Sequence, residues 1–321
     1  EKKILGIGNA VLDVLTSISD DYLTGNNLQK GAMSLVEQEI SDKLLSNITA
    51  VKKDSGGSVA NTIAAISSLG VPSFFCGKVK NDELGRAFVE NMEKTETKFL
   101  CKKSKVGLPT ARCLVLVTPD GERTMQTFLG ASTTLNENDI EENFFNEISY
   151  LFLEGYLWSS KTARKAIKKA VKISKKKKTK IIFSLSDPNL VQMYRDDFIE
   201  IIKNDVDLLI GNEREYYEMF QEKDKNKIFK KLGRFLEIAV MTEGKEGVKA
   251  FCNEKVTKVE AFKVDKVIDT TGAGDMFAAG FLFKILQEES LHEALIFGCK
   301  VASKIICQYG ARLDSELFKK I

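Results

Sequence analysis

An apolar strand followed by an amphipathic helix recurs along most of the chain, a pattern that predicts a mostly parallel sheet covered by helices on both faces. Ile4 to Gly8 opens the series as a strand. Further strands are predicted over 73–79, 150–153, 180–184, 205–210 and 238–242, and helices over 61–69, 84–94, 161–174, 213–220, 273–286 and 291–308. Two stretches break the rhythm. Residues 30–36 and 110–129 read as β-structure without helices, the second as a hairpin turning at Thr118-Pro119-Asp120-Gly121. The expected fold class is therefore α/β, a three-layer α/β/α core with a small β-sheet lid. Residues 1–12, 40–100 and 131–321 are assigned to the core and 13–39 and 101–130 to the lid.

Composition narrows the chemistry. With 48 basic against 45 acidic side chains, the formal charge of the 321 residues is only +3, which argues against a dedicated nucleic-acid binder. The densest basic run, 161–180, holds eleven Lys or Arg. Its apolar positions Ala163, Ala166, Ile167, Ala170 and Val171 have helical spacing, so the lysines fall on an outward face. A non-catalytic protein using that face for nucleic acid remains the competing class of function. One histidine, His292, excludes a two-His zinc site within the chain. The six cysteines form no C-x-x-C pair and read as reduced, mostly buried thiols. No apolar run approaches membrane-spanning length. We expect a cytoplasmic protein, lacking its initiator methionine, with no membrane or nucleic-acid partner, acting as a monomer or homodimer.

The most informative segment is Val267-Ile268-Asp269-Thr270-Thr271-Gly272-Ala273-Gly274-Asp275, followed by an apolar helix. A glycine-rich turn feeding a helix N-terminus offers free backbone N–H groups and the positive end of the helix dipole, which suits a phosphate. Asp275 falls in the first helical turn beside that anion, where a carboxylate can take a proton from a hydroxyl. Either feature alone would be an ordinary turn or cap; the combination on a strand-to-helix junction points to phosphoryl transfer. Other phosphate signatures fail. Gly6-Ile7-Gly8 is followed by Val11 where a dinucleotide fingerprint needs its third glycine, which counts against an NAD-dependent oxidoreductase, and no G-x-x-x-x-G-K-[ST] loop occurs.

The 267–281 segment resembles the D-T-x-G-A-G-D signature of the ribokinase-like (PfkB) family of sugar and nucleoside kinases. Gly56-Gly57-Ser58-Val59-Ala60-Asn61 is similar to that family's G-G-x-x-x-N, Asn212 to Glu215 to its N-x-x-E, and Thr242 to Gly247 to its T-x-G-x-x-G loop. The resemblance spans essentially the whole chain. It implies a ribokinase-like fold using ATP and Mg²⁺, with Asp275 as general base and the N–H groups of Gly272, Ala273 and Gly274 holding charge on the transferred phosphoryl group. It further implies that Asn212 and Glu215 organise Mg²⁺ through water and that Thr242, Gly244 and Gly247 line the nucleotide. A monovalent cation such as K⁺ is implied near Asp269 and Thr271, close to Gly310-Ala311. Two departures stand out: Lys80 replaces a family glycine, and Ser186-Asp187-Pro188-Asn189 stands where adenosine kinases carry an apolar or aromatic residue.

The acceptor side is read in Gly8-Asn9-Ala10-Val11-Leu12-Asp13 and in Gly56, Gly57 and Asn61. Asp13, just past the first strand, can accept two hydrogen bonds from vicinal hydroxyls, with Asn9 and Asn61 adding polar contacts. The G-N-x-x-x-D form is similar to that of adenosine kinases. Met125, Thr127 and Leu129 alternate onto one face of the hairpin and, with Tyr156, suggest a slot for a purine or the ordinary packing of a half-buried sheet. The expected activity is phosphorylation of a small-molecule acceptor at a primary hydroxyl, foremost adenosine at its 5′-hydroxyl. A ribose or fructose kinase is the alternative. Few arginines disfavour a phosphosugar, although Arg112 and Arg123 sit in the lid.

Overall fold

A computed structural model describes residues 1–318 and 320–321. Its strands are β1 (Ile4–Ile7), β2 (Val11–Ser17), β3 (Met33–Leu35), β4 (Lys52–Gly56), β5 (Ser73–Cys76), β6 (Lys98–Phe99), β7 (Ala111–Val117), β8 (Arg123–Phe128), β9 (Tyr150–Glu154), β10 (Lys180–Ser184), β11 (Leu208–Asn212), β12 (Ile238–Thr242), β13 (Val248–Cys252) and β14 (Lys255–Val259). The larger sheet runs β14-β13-β12-β11-β10-β9-β1-β5-β6. It is parallel from β12 to β6 and closes at the other edge with the antiparallel meander β12-β13-β14.

The central strands are apolar at nearly every position because both faces are covered. In β9, Tyr150 and Phe152 join one buried cluster and Leu151 and Leu153 the other. The first cluster is built with helices Ser58–Ser68, Glu83–Glu93, Ala273–Leu286 and Leu291–Ile305, the second with Lys161–Lys177, Arg195–Asn204 and Lys225–Leu232. Close approach is enforced at Gly6 in β1, where an added Cβ would lie 2.5 Å from Ile63 Cγ1 and 2.6 Å from Val59 Cγ1. That contact seats helix 58–68 directly on β1 and so places its N-terminus at the sheet's carboxyl edge.

The smaller sheet has the order β3-β8-β7-β2-β4. The hairpin read at 110–129 is β7 and β8, turning where Gly121 N–H donates to Thr118 O. Two of its strands went unread in the sequence. β2 begins at Val11 and β4 covers 52–56, so the smaller sheet draws on ranges expected to be core. Leu12, Val14, Leu114 and Leu116 point to the helix-covered face. Val11, Cys113, Val115 and Met125 share the opposite face with Asp13, which stands level with Cys113 and Asp54.

The cysteines differ from expectation. Cys76 and Cys101 form a disulfide with a Cα–Cα distance of 5.2 Å, while Cys113, Cys252, Cys299 and Cys307 are free. Spacing in sequence hid the pair; the parallel pairing of β5 with β6, which sets Phe75 beside Phe99, brings the two together. Among the described residues no helix is long and apolar enough to cross a membrane.

Candidate active site

The carboxyl ends of β1, β9, β11 and β12 open onto one crevice, the place where ligands bind in open α/β sheets. There the chain turns at Gly272, whose φ of 76° and close approach to Ala311, with an added Cβ 2.7 Å from Ala311 Cα, leave no room for a side chain. Helix 273–286 starts directly after. The Ala273 N–H closes the turn on Thr270 O at 3.2 Å, and nothing lies within 4 Å of a Cβ built at Gly274, so the open side of this helix end is at Gly274.

Asp275 is held from both oxygens. Ser58 Oγ donates to Oδ1 at 2.7 Å and Asn61 Nδ2 donates to Oδ2 at 3.0 Å. The Thr62 hydroxyl donates to the Asp275 carbonyl at 3.2 Å. Burial pushes the Asp275 carboxyl up to about 6, while Asn61, Ser58 and the Arg312 guanidinium pull it down. It is therefore mostly ionised at neutral pH. Asn61 is itself oriented by Arg312, whose Nε donates to Asn61 Oδ1 at 3.0 Å. Burial holds Arg312 down to about 10, against the attraction of Asp13, Asp54 and Asp275.

Asp13 lies against Gly56, where a Cβ would be 2.7 Å from its Oδ2. Gly57 has φ 97°, and a Cβ there would lie 2.3 Å from the Asn9 carbonyl oxygen. The two glycines thus let β4 and the start of helix 58–68 close on Asn9 and Asp13. Burial raises the Asp13 carboxyl to about 7, with Asp54 and Asp275 also raising it and Arg312 and Arg123 lowering it.

Sequence reading missed Glu154. Fully buried at the end of β9, it accepts the Asn9 N–H through Oε1 and the Val59 N–H through Oε2, both at 2.8 Å. It clamps the acceptor loop to the helix that carries Ser58 and Asn61. Burial raises it to about 7, with Asp275 adding to the rise. A charged residue ending an otherwise apolar strand was the available signal. Ser58 and Arg312 were also missed, the first hidden at a variable place in its motif and the second in a loop near the C-terminus.

Tyr156 follows β9, and its hydroxyl donates to Ser186 O at 3.2 Å. Ser186 has φ 72°, a left-handed conformation that turns Ser186 Oγ onto the Gly155 N–H at 2.8 Å. The departure at 186–189 therefore anchors Tyr156 and caps a short helix through Asp187. At the other departure, the Lys80 N–H donates to Thr110 Oγ1 at 3.0 Å, tying the loop to the entry of β7. Met125 and Thr127 are half-buried on the face shared with Asp13, and Leu129 lies just past β8.

On the nucleotide side, Thr242, Gly244 and Gly247 line a cavity of about 610 Å³ together with Gly274. Its apolar wall includes Phe262, Val264, Val267 and Phe277. Asn212 stands beside Thr242 on neighbouring strands but does not line this cavity. It forms a capping box with Glu215: Glu215 Oε2 accepts the Asn212 N–H at 2.7 Å, Oε1 accepts Asn212 Nδ2 at 3.1 Å, and Asn212 Oδ1 accepts the Glu215 N–H at 2.9 Å. Burial raises Glu215 to about 7. Among the described residues no group of three or more His, Cys, Asp or Glu side chains could hold a metal ion.

Asp269 is fully engaged. Its Oδ1 accepts the Thr271 N–H at 2.9 Å and the Thr271 hydroxyl at 2.7 Å, and its Oδ2 accepts the Gly310 N–H at 3.0 Å and pairs with Arg123 of β8 at 2.8 Å. A donor set already saturated by a guanidinium does not fit the monovalent cation expected at Asp269 and Thr271. Arg112, by contrast, faces away from the crevice, donating to Ser41 Oγ at 2.7 Å and pairing with Asp42.

The lysine-rich helix, Lys161–Lys177, packs Ala163, Ala166, Ile167, Ala170 and Val171 into the core. Its charges meet acids: Arg164 pairs with Asp197, Lys175 with Asp205 and Lys176 with Glu142.

The family model described as pfkB family carbohydrate kinase matches residues 32–317. An adenosine kinase from Sinorhizobium meliloti has a similar structure, with a TM-score of 0.89 and 34% identity over 99% of this chain and 98% of that one. A probable sugar kinase protein from Rhizobium etli CFN 42 gives a TM-score of 0.88 and 32% identity, again covering 99% and 98% of the two chains. A 5-dehydro-2-deoxygluconokinase of Clostridium botulinum is 27% identical over 293 residues, 86% of this chain and 85% of that relative.

Proposed function

The chain belongs to the PfkB family of carbohydrate kinases, phosphotransferases with an alcohol group as acceptor, and from that premise we propose that it transfers the γ-phosphoryl group of ATP to the 5′-hydroxyl of adenosine, forming AMP. The observation that carries the chemistry is Asp275, fixed between Ser58 and Asn61 at the head of an open helix N-terminus. Asp275 accepts the proton of the acceptor hydroxyl, and the Gly274 side of the turn stabilises charge on the phosphoryl oxygens. Positioning supplies most of the rate, because phosphoryl transfer asks little covalent chemistry of the protein. The adenine of ATP suits the apolar wall around Phe262 and Phe277.

The Mg²⁺ that such kinases use with ATP would supply charge neutralisation at the nucleotide phosphates when bound. Both oxygens of Glu215 already accept from Asn212, so Asn212 and Glu215 would hold that ion through water, in keeping with an ion that retains much of its hydration shell.

For the acceptor, Asp13 takes vicinal ribose hydroxyls and the apolar face carrying Val115 and Met125 takes the base. Arg112 lies on the far face and Arg123 is bound to Asp269, which counts against a phosphosugar. A second reading, a kinase of sugars or sugar acids, is favoured by Arg312, a guanidinium whose charge acts on Asp13 beside Asn61, and by the gluconokinase and sugar-kinase relatives. A coupled assay of ADP release across adenosine, inosine, ribose, fructose, fructose 6-phosphate and 5-dehydro-2-deoxygluconate separates the two. The first reading expects the highest kcat/KM on adenosine; negligible adenosine turnover beside clear turnover of a sugar replaces it with the second.

A further inference from the structure

We infer that Arg123 is a built-in cation for the phosphate-binding turn, so that this kinase needs no monovalent metal ion, and that the same contact fastens the smaller sheet to the turn. The inference deepens the kinase reading and rests on 269–275 being its phosphate turn.

Asp269 begins that turn and sets its shape through two hydrogen bonds to Thr271, one residue before Gly272. A carboxylate in such a place needs a counter-charge to hold its geometry beside bound phosphate. Arg123 NH1 supplies it at 2.8 Å, with both side chains nearly closed to solvent at 13% and 10% exposure. The guanidinium also lies over the Tyr309 ring, 5.1 Å from its centroid, and the Gly310 N–H completes the shell of Asp269 Oδ2. The cation is thus enclosed by protein on several sides. Its strand, β8, belongs to the sheet that carries Asp13, so the pair joins the acceptor side of the crevice to the phosphate side. Arg123 acts on the turn through Asp269 and is a positioning residue.

Thermal unfolding of the full chain in KCl, NaCl and tetramethylammonium chloride at equal ionic strength tests this without any substrate, so it can fail or succeed independently of the acceptor assay. The wild-type Tm should be the same in all three salts. Arg123→Ala should lower Tm, and K⁺ alone should then raise it by about 2 °C, as binding of an ion to a vacated site requires. Methylguanidinium should restore it likewise, and the double variant Arg123→Ala with Asp269→Asn should lose both responses. Arg123→Lys, which keeps the charge if the alanine variant does not fold, should remain indifferent to the salt. A wild-type Tm that rises specifically in K⁺ overturns the inference. So does an Arg123→Ala protein that responds neither to K⁺ nor to methylguanidinium.

Discussion

Asn61 Nδ2 donates to Asp275 Oδ2 at 3.0 Å across 214 residues of sequence. This bond joins the first helix after the smaller sheet's β4 to the helix that heads the phosphate turn. It makes the proposed base a shared product of two motifs.

Asp275→Asn should leave the fold intact, because the amide keeps an oxygen for one of the two donors Ser58 and Asn61. Loss of the base should lower kcat by about 10² to 10⁴. Rapid-quench measurement of phosphoryl transfer, with circular dichroism as the folding control, checks it; turnover within a few-fold of wild type would remove Asp275 from the mechanism.

The pH profile follows from the same carboxyl. Asp275 accepts a proton only when ionised, so kcat should fall as pH drops through about 6. Arg312 lowers that value, and Arg312→Met should move the acid limb to higher pH. A limb left unmoved by the substitution would show that the guanidinium does not tune the base.

Glu154 links pH to stability. Burial raises it from 4.5 to about 7, so the folded chain binds this proton more tightly than the unfolded chain does. Its contribution to stability is full below about pH 4.5 and is lost as pH climbs through about 7, a change on the order of 3 kcal/mol. Asp13, Glu215 and Asp275 act in the same direction. Urea titrations from pH 5 to 7.5 should give a shallower decline for Glu154→Gln than for wild type, and identical slopes would count against a buried, proton-binding Glu154.

Gly57→Ala tests the acceptor loop. The residue has φ 97°, and a methyl group would sit 2.3 Å from Asn9 O, so the loop must shift. With ψ at 137° this positive-φ conformation lies in a region essentially confined to glycine and alone costs a residue with a side chain about 1 to 3 kcal/mol. A lowered Tm together with a raised acceptor KM and an unchanged KM for ATP is expected, and an equal rise in both constants would mean the loop does not belong to the acceptor side.

Much of the core was legible because buried parallel strands and their amphipathic helices write strong local patterns. Helices 213–220 and 273–286 and strands 180–184 and 238–242 stand where the periodicity puts them. β4 was not legible: Lys52-Lys53-Asp54-Ser55-Gly56 carries no apolar alternation and is a strand only because β2 pairs with it. β13 and β14 were missed for a related reason, since an edge meander is half-exposed and mixed in character. At the site, motif residues such as Asp275 and Gly272 could be found by spacing. Glu154, Arg312 and the Arg123–Asp269 pair could not, because each takes its role from a partner far away in sequence.

The chain enters the smaller sheet twice, through β2, β3 and β4 and again through β7 and β8, and the parallel pair β2–β7 that joins the two sets Val11 beside Ala111. Loops of that length close slowly, since their entropy is lost before the contacts repay it. Asp13 and Arg123 therefore join one sheet only when that 100-residue separation between β2 and β7 is closed. The acceptor floor is in this sense a product of long-range closure, and cutting the sheet out as a portable cassette would sever every one of its crossings into the core.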